Sequence, residues 1–209
     1  MPKAPDRYGK NALLGVILCG GASKRMGVDK ATLSYSGRAL WQQAAQALAP
    51  QVTQLAISIA PSQQPDVFAP LPCIVDTLVD AGPLAGIASA AASSLGRDYQ
   101  WLVFTSCDTP LQPRDWVEQL MSACGGNPGI YYICHQGQHH YLHALWHRSL
   151  LAPLEDFLHS GGRALKAFYA QVNAQSVHYS VPNLPSDSYQ PDPFLNLNTP
   201  EDFARLNHD

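Results

Sequence analysis

Residues 13–18, LLGVIL, form an unbroken apolar run that Cys19, Gly20 and Gly21 end abruptly. A strand with no polar alternation needs cover on both faces. A parallel sheet between two helical layers provides that cover, and a one-sided antiparallel sheet does not. The first half of the chain repeats this arrangement. Residues 39–49 place Leu40, Ala44 and Leu48 at i, i+4 and i+8 beside Trp41, and Pro50 stops this amphipathic helix. Residues 55–59 and 73–75 read as strands. Pro83 predicts a helix start, with Ala-rich chain running to about Leu95 and Gly96 as its stop. Residues 101–105 form the next buried strand, and Pro113 opens a helix to about Cys124. Strands alternating with helices at this spacing predict an α/β domain built from βαβ units on a mainly parallel sheet.

The second half is less regular. Residues 130–134 and 141–146 flank Gly137 as a hairpin or as neighbouring strands. Helical patterns cover residues 149–159 and 163–170, and residues 177–181 form a strand candidate. Four prolines between positions 182 and 193 mark a loop, and Thr199-Pro200-Glu201-Asp202 has the cap, first-turn proline and acids of a C-terminal helix.

The 209 residues fit a single domain that buries about 70 % of its extended-chain surface, ample for a core without staples. A net charge of −3 excludes a generally basic nucleic-acid binder while leaving room for a local anion pocket. Cys19, Cys73, Cys107, Cys124 and Cys134 are odd in number and contain no C-x-x-C pair, so reduced thiols in a cytoplasmic setting are expected. Lys3, Arg7 and Lys10 ahead of the apolar run imitate a secretory leader. The run is short, however, and leads into a glycine-rich basic loop, which a buried first strand explains better. No apolar stretch approaches the roughly 18 residues of a membrane span, so no membrane partner is expected.

The segment Leu18-Cys19-Gly20-Gly21-Ala22-Ser23-Lys24-Arg25-Met26-Gly27-Val28-Asp29-Lys30 carries the clearest chemistry. Glycines after a strand allow close backbone approach, so successive N–H groups can face an anion, and Arg25 and Lys30 add two positive charges there. The segment lacks both the G-K-[ST] of a Walker A loop and G-x-G-x-x-G. Read alone, it also suits a tight connection with two solvated cations.

These residues resemble the L-x-G-G-x-S-x-R-M-G-x-D-K signature of the molybdenum cofactor guanylyltransferases. Four more segments follow in the family's order: Asp76 to Gly86 (DTLVDAGPLAG), Cys107-Asp108-Thr109-Pro110, His140 to Trp146 (HYLHALW) and Phe194 to Asp202 (FLNLNTPED). Cys19 stands where the family usually has Ala, Tyr141 replaces a Pro and His143 an apolar residue, and Ser58 stands where some members carry Asn near the base.

The resemblance implies a three-layer, Rossmann-like nucleotidyltransferase with a mixed, mainly parallel sheet. One domain over 1–209 would carry a GTP-binding half at about 12–125 and a molybdopterin-binding half at about 126–209. The implied reaction moves GMP from GTP to the terminal phosphate of molybdenum-molybdopterin and releases pyrophosphate, with Mg²⁺ as cofactor and recipient molybdoenzymes as partners. Such chemistry needs positioning and charge neutralisation, not a side-chain nucleophile. Arg25, Lys30 and Asp108 are the expected catalytic residues. Asp108 also serves as the metal ligand, since Mg²⁺ takes one or two carboxylates plus substrate and water; the bland reading makes it a turn cap. Leu18, Cys19, Gly20, Gly21, Lys30, Asp76 and Asp108 are expected at GTP. Guanine presents N1–H and N2–H₂ donors and therefore needs acceptors; Asp76 otherwise caps a turn, and Asp80 more simply caps Gly82-Pro83. His140, Asn196 and Asn198 are carried to the molybdopterin side by family position.

His135, His139, His140, His143 and His147 imitate a metal cluster, with His139, His143 and His147 sharing one face of a strand, yet no acidic partner is near in sequence. Arg163 suits either an anionic substrate or the surface, and the four tryptophans are core. The rival readings are a cytidylyltransferase of the same fold and a non-catalytic nucleotide or pterin carrier.

Overall fold

A computed structural model describes residues 12–20, 29–78, 81–181, 192–197 and 202. In chain order the elements are β1 (Leu13–Leu18), β2 (Ser34–Tyr35), β3 (Arg38–Ala39), α1 (Leu40–Leu48), β4 (Gln54–Ile59), β5 (Cys73–Val75), α2 (Pro83–Ala92) and α3 (Ser94–Arg97). They continue with β6 (Trp101–Ser106), α4 (Trp116–Cys124), β7 (Ile130–His135), β8 (Gln138–His147), α5 (Leu151–His159), α6 (Leu165–Gln171) and β9 (Gln175–His178).

Among the described residues the main sheet has seven strands in the order β5-β4-β1-β6-β8-β7-β9. Every neighbouring pair is parallel except the two that involve β8. The expected mixed, mainly parallel sheet is therefore present, and β6–β8 pairing carries it from the first half of the chain into the second. One face packs Trp41, Ala44 and Leu48 of α1 and Trp116, Val117 and Leu120 of α4. The other packs α2, Leu154 and Leu158 of α5, and Phe168 and Tyr169 of α6. All six residues of β1 and of β6 are buried, as strands covered on both sides must be. The chain leaves β1 toward β4 and β5 on one side, then returns to β6 on the other. Open α/β sheets bind ligands outside the carboxyl ends of the strands at such a reversal, and here those ends carry Cys19-Gly20 and Cys107-Asp108.

Several boundaries differ from expectation. The α2 helix ends at Ala92, not near Leu95. Ser93 takes an extended conformation, its hydroxyl bonds Ala90 O and accepts from Gly96 N, and α3 starts afresh. The α4 helix begins at Trp116 and not at Pro113, because the side chain of Gln51 takes Val117 N–H with its oxygen and gives its amide to Pro113 O. The last strand runs from Gln175 to His178, earlier than 177–181, where it pairs with residues 131–134 of β7. The ribbon of β2 and β3 was not anticipated; its turn, Ser36-Gly37, has positive φ at both positions. The C-terminal helix expected from Thr199 lies outside the described residues but for Asp202. No helix of the described residues is long and apolar enough to cross a membrane.

Candidate active site

Three strand ends build the site. At the end of β1, the Cys19 and Gly20 N–H groups donate to Ser58 O of β4 at 2.9 and 3.1 Å, and Leu18 O accepts from Cys107 N at 3.3 Å. The chain re-enters the described region at Asp29, whose Oδ1 accepts from Ala31 N at 3.0 Å and so caps the short 3₁₀ turn Lys30–Thr32. That turn aims Lys30 across the sheet end. Its Nζ lies 2.6 Å from Asp108 Oδ2, just beyond β6, although 78 positions separate the two residues. The Ser106 hydroxyl donates to Asp108 Oδ1, and Asp108 O accepts from Leu197 N at 2.8 Å. Among the described residues each carboxylate oxygen of Asp108 thus has one donor and keeps further acceptor capacity. The pair is screened but reachable, with side-chain exposures of 19 % for Lys30 and 15 % for Asp108.

Asp76 follows β5 at the neighbouring strand end. Its Oδ1 accepts from Ser58 Oγ at 2.6 Å, and its N–H donates to Ile59 O at 2.8 Å. Burial raises its pKa, and the Ser58 hydrogen bond offsets this only in part. Two glycines leave room for that carboxylate. A Cβ on Gly20 would stand 2.5 Å from Asp76 Oδ2, and one on Gly86 of α2 would stand 2.4 Å from Ser58 Oγ. Ser58 is buried and turned toward Asp76.

The structure therefore brings Leu18, Cys19, Gly20, Lys30, Asp76 and Asp108 to one end of the sheet. Gly21, Arg25, Asn198 and Asp80 lie outside the described residues. Among the described residues no three His, Cys, Asp or Glu side chains gather as a metal cage. The partly exposed Asp108 carboxylate, with acceptor capacity beyond its bonds from Lys30 and Ser106, fits Mg²⁺, whose remaining ligands would come from substrate phosphates and water. Cys19 and Cys107 neighbour one another just beyond the ends of the adjacent strands β1 and β6; burial, then the Cys107 thiol, pushes the Cys19 thiol well above its ordinary range.

Residues 192–197 pack beside the end of β6, where Leu197 N donates to Asp108 O. Asn196 Oδ1 accepts from Thr109 Oγ1 at 3.0 Å. His140 Nε2 lies 3.2 Å from Asp192 Oδ2, at ion-pair distance without hydrogen-bond geometry. Phe194 packs against His135, His140, His143 and Tyr179. Burial alone would raise the Asp192 carboxyl, but His140 and the Phe194 N–H outweigh it and hold the group below its usual range. Strand alternation predicted His139, His143 and His147 on one face. The register between β7 and β8 shifts at Tyr132/Ile133, so that Tyr132 pairs with Ala144 but Ile133 with His140. The shift turns His140 to the side of His143, while His139 stacks on Tyr141 at 5.7 Å.

Burial, then His140, pushes the His143 imidazole down to about 3. The folded protein thus keeps His143 neutral where an unfolded chain, with a value near 6.5, takes up a proton. Stability from this group is complete above about pH 6.5 and lost as pH falls toward 3, roughly 2 kcal/mol by pH 5. Urea unfolding of His143→Leu is expected to show a pH 7 to pH 5 decline about 2 kcal/mol shallower than that of the parent. Parallel declines would show that His143 is not held neutral.

Sequence reasoning missed Ser106, Gln63 and Asp192, and it did not foresee the hold of Ser58 on Asp76. Ser106 was in reach, because a hydroxyl two residues before the C-D-T-P aspartate can fold back onto it.

A family model described as the MobA-like NTP transferase domain matches residues 15–176. A molybdenum cofactor guanylyltransferase of Photobacterium profundum is 35 % identical over 199 residues, covering 91 % of this chain and 93 % of the relative. One of Rhizobium meliloti is 34 % identical over 194 residues, covering 91 % and 88 %. Among solved structures, the molybdopterin-guanine dinucleotide biosynthesis protein A of Archaeoglobus fulgidus superposes with a TM-score of 0.72 at 22 % identity, covering 94 % of this chain and 97 % of that one. A 4-diphosphocytidyl-2C-methyl-D-erythritol synthase of Anaerococcus prevotii gives 0.71 at 9 % identity over 96 % of both chains, a likeness of fold alone.

Proposed function

The chain belongs to the MobA-like NTP transferase family, and on that premise we propose that it transfers GMP from GTP to the terminal phosphate of molybdenum-molybdopterin. A pterin phosphate oxygen attacks the α-phosphorus, the new P–O bond forms, and the bond to the β-phosphate breaks, releasing pyrophosphate. Both reactants are anionic, so repulsion between them is the main obstacle, and positioning supplies up to roughly 7–11 kcal/mol in well-oriented systems.

The observation that carries this reading is the 2.6 Å pairing of Lys30 with Asp108 at the reversal of strand order. Lys30 places a positive charge where the triphosphate would lie, and Arg25 is proposed to add a second. Asp108, fixed by Ser106 and Lys30, would hold Mg²⁺ through its free lone pairs. When bound, Mg²⁺ draws negative charge from the phosphate oxygens. Asp76, with the second lone pairs of the Leu18 and Cys19 carbonyls, offers acceptors to the guanine N–H groups, and Gly20 and Gly21 line the approach. His140, Asn196 and Asn198 stand on the proposed molybdopterin side, within a half that spans about 126–209. Recipient molybdoenzymes are the proposed downstream partners.

Pyrophosphate release with molybdopterin and Mg²⁺, measured side by side for GTP, CTP and ATP, tests the assignment. GTP is expected to exceed the others in kcat/KM by at least about a hundredfold, since unpaired acceptors penalise the wrong base. Equal turnover with CTP would favour a cytidylyltransferase, and binding without pyrophosphate release would favour a carrier.

A further inference from the structure

We propose that Gln63 is a positioning residue of the nucleotide site, a clamp that holds the two ends of the glycine-rich segment and thereby aims Lys30. Its side chain reaches three separate pieces of backbone and side chain. Nε2 donates to Cys19 O at 3.2 Å, where the chain leaves β1, and to Asp29 Oδ2 at 2.7 Å, where it re-enters the described region. Oε1 accepts from Ala60 N at 2.7 Å, which anchors the amide to the exit of β4 and fixes its orientation. The two N–H groups and the oxygen are all used, and only a primary amide offers two donors and an acceptor in that arrangement.

The consequence passes through Asp29. With Oδ2 held by Gln63, Oδ1 faces Ala31 N and caps the turn from which Lys30 extends to Asp108. The Thr32 hydroxyl closes on Asp29 O at 2.8 Å and completes the turn. Without the clamp, Asp29 loses its external restraint and the ends at Cys19 and Asp29 are free to move apart. Gln63 is half-buried on the turn after β4 and contributes little to the core, so its loss disturbs the site far more than the fold. A shift of about 1 Å in a positioning group can cost on the order of a hundredfold in catalysis.

This inference rests on the nucleotidyl-transfer reading, and two variants separate the clamp from it. In Gln63→Glu a carboxylate faces the Asp29 carboxylate with no donor between them. At low pH one shared proton can restore the link to Asp29 but not the bond to Cys19 O, so the clamp re-forms only in part. At pH 8.5 Gln63→Glu is expected to raise the KM for GTP by about ten- to a hundredfold with a smaller fall in kcat, and to recover part of this by pH 5.5. Gln63→Ala is expected to show a similar rise in KM at both pH values, and Gln64→Ala, at the exposed neighbouring position, to match the parent. Amide exchange at Ala31 and Thr32 is expected to quicken by about tenfold in Gln63→Ala at an unchanged thermal midpoint. A KM within twofold of the parent for Gln63→Glu at pH 8.5, or unchanged exchange at Ala31 and Thr32 in Gln63→Ala, overturns the clamp. A parent protein that takes no GTP overturns the nucleotide reading instead, and the exchange rates then still decide the clamp.

Discussion

Asp108→Asn is expected to lower kcat at saturating GTP and Mg²⁺ by about three orders of magnitude, or about 4 kcal/mol of transition-state stabilisation. The substitution keeps shape and removes charge. Asparagine still fills the turn beyond β6, its carbonyl still accepts from Lys30 or Ser106, and the backbone bond from Leu197 is untouched. What goes is the anionic oxygen that would hold Mg²⁺ against the phosphates, together with the partner that keeps the Lys30 ammonium in place. Because both side chains remain partly exposed, the pairing itself contributes modestly to folding, and the variant should unfold in urea within about 1–2 kcal/mol of the parent. A folded Asp108→Asn with undiminished kcat would leave Asp108 a turn residue and nothing more.

Gly86→Ala is expected to weaken both the fold and GTP binding, in a direction that opposes helix propensity. Gly86 lies inside α2, where alanine would ordinarily stabilise a helix by about 1 kcal/mol. The added Cβ, however, would stand 2.4 Å from Ser58 Oγ and 2.9 Å from Leu18 Cδ2. Ser58 is buried against Asp76 and can yield only by breaking the bond that orients that carboxylate. Overpacking of this kind costs about 1–3 kcal/mol, so the net change in urea stability is expected to be a loss of about 1–2 kcal/mol. The affinity for GTP should fall by at least about tenfold, because Asp76 is displaced with Ser58. A variant that is both more stable than the parent and equally tight for GTP would show that α2 does not abut the nucleotide site.

The parts of this molecule that were legible in the sequence are those set by short-range pattern. A short apolar run such as Leu13–Leu18 or residues 101–105 reads as a strand covered twice, and punctuation by Pro50 and Pro83 marks helix ends without help from tertiary structure. These runs by themselves put Gly20 and Asp108 at strand ends. Legibility failed where distant residues decide. The pairing of Lys30 with Asp108 spans 78 positions, and no local periodicity encodes it. The start of α4 is set by Gln51, a residue 65 positions before Trp116, which caps the helix from outside. The histidines of β8 were assigned by strict alternation, and a register shift opposite Tyr132/Ile133 changed the phase of His139 and His140. The bond from Ser58 to Asp76 was equally out of reach, since Ser58 stands on β4 and Asp76 just beyond β5, 18 positions apart.

The strand ends of β1, β5 and β6 are proposed to gather one anionic nucleotide. A crystal structure with a non-hydrolysable GTP analogue and Mg²⁺ tests it most directly. The triphosphate is expected between Gly20 and Lys30, the ion on Asp108 and the guanine edge toward Asp76. An analogue lodged elsewhere, with Lys30 still paired to Asp108 and no ion on that carboxylate, would contradict it.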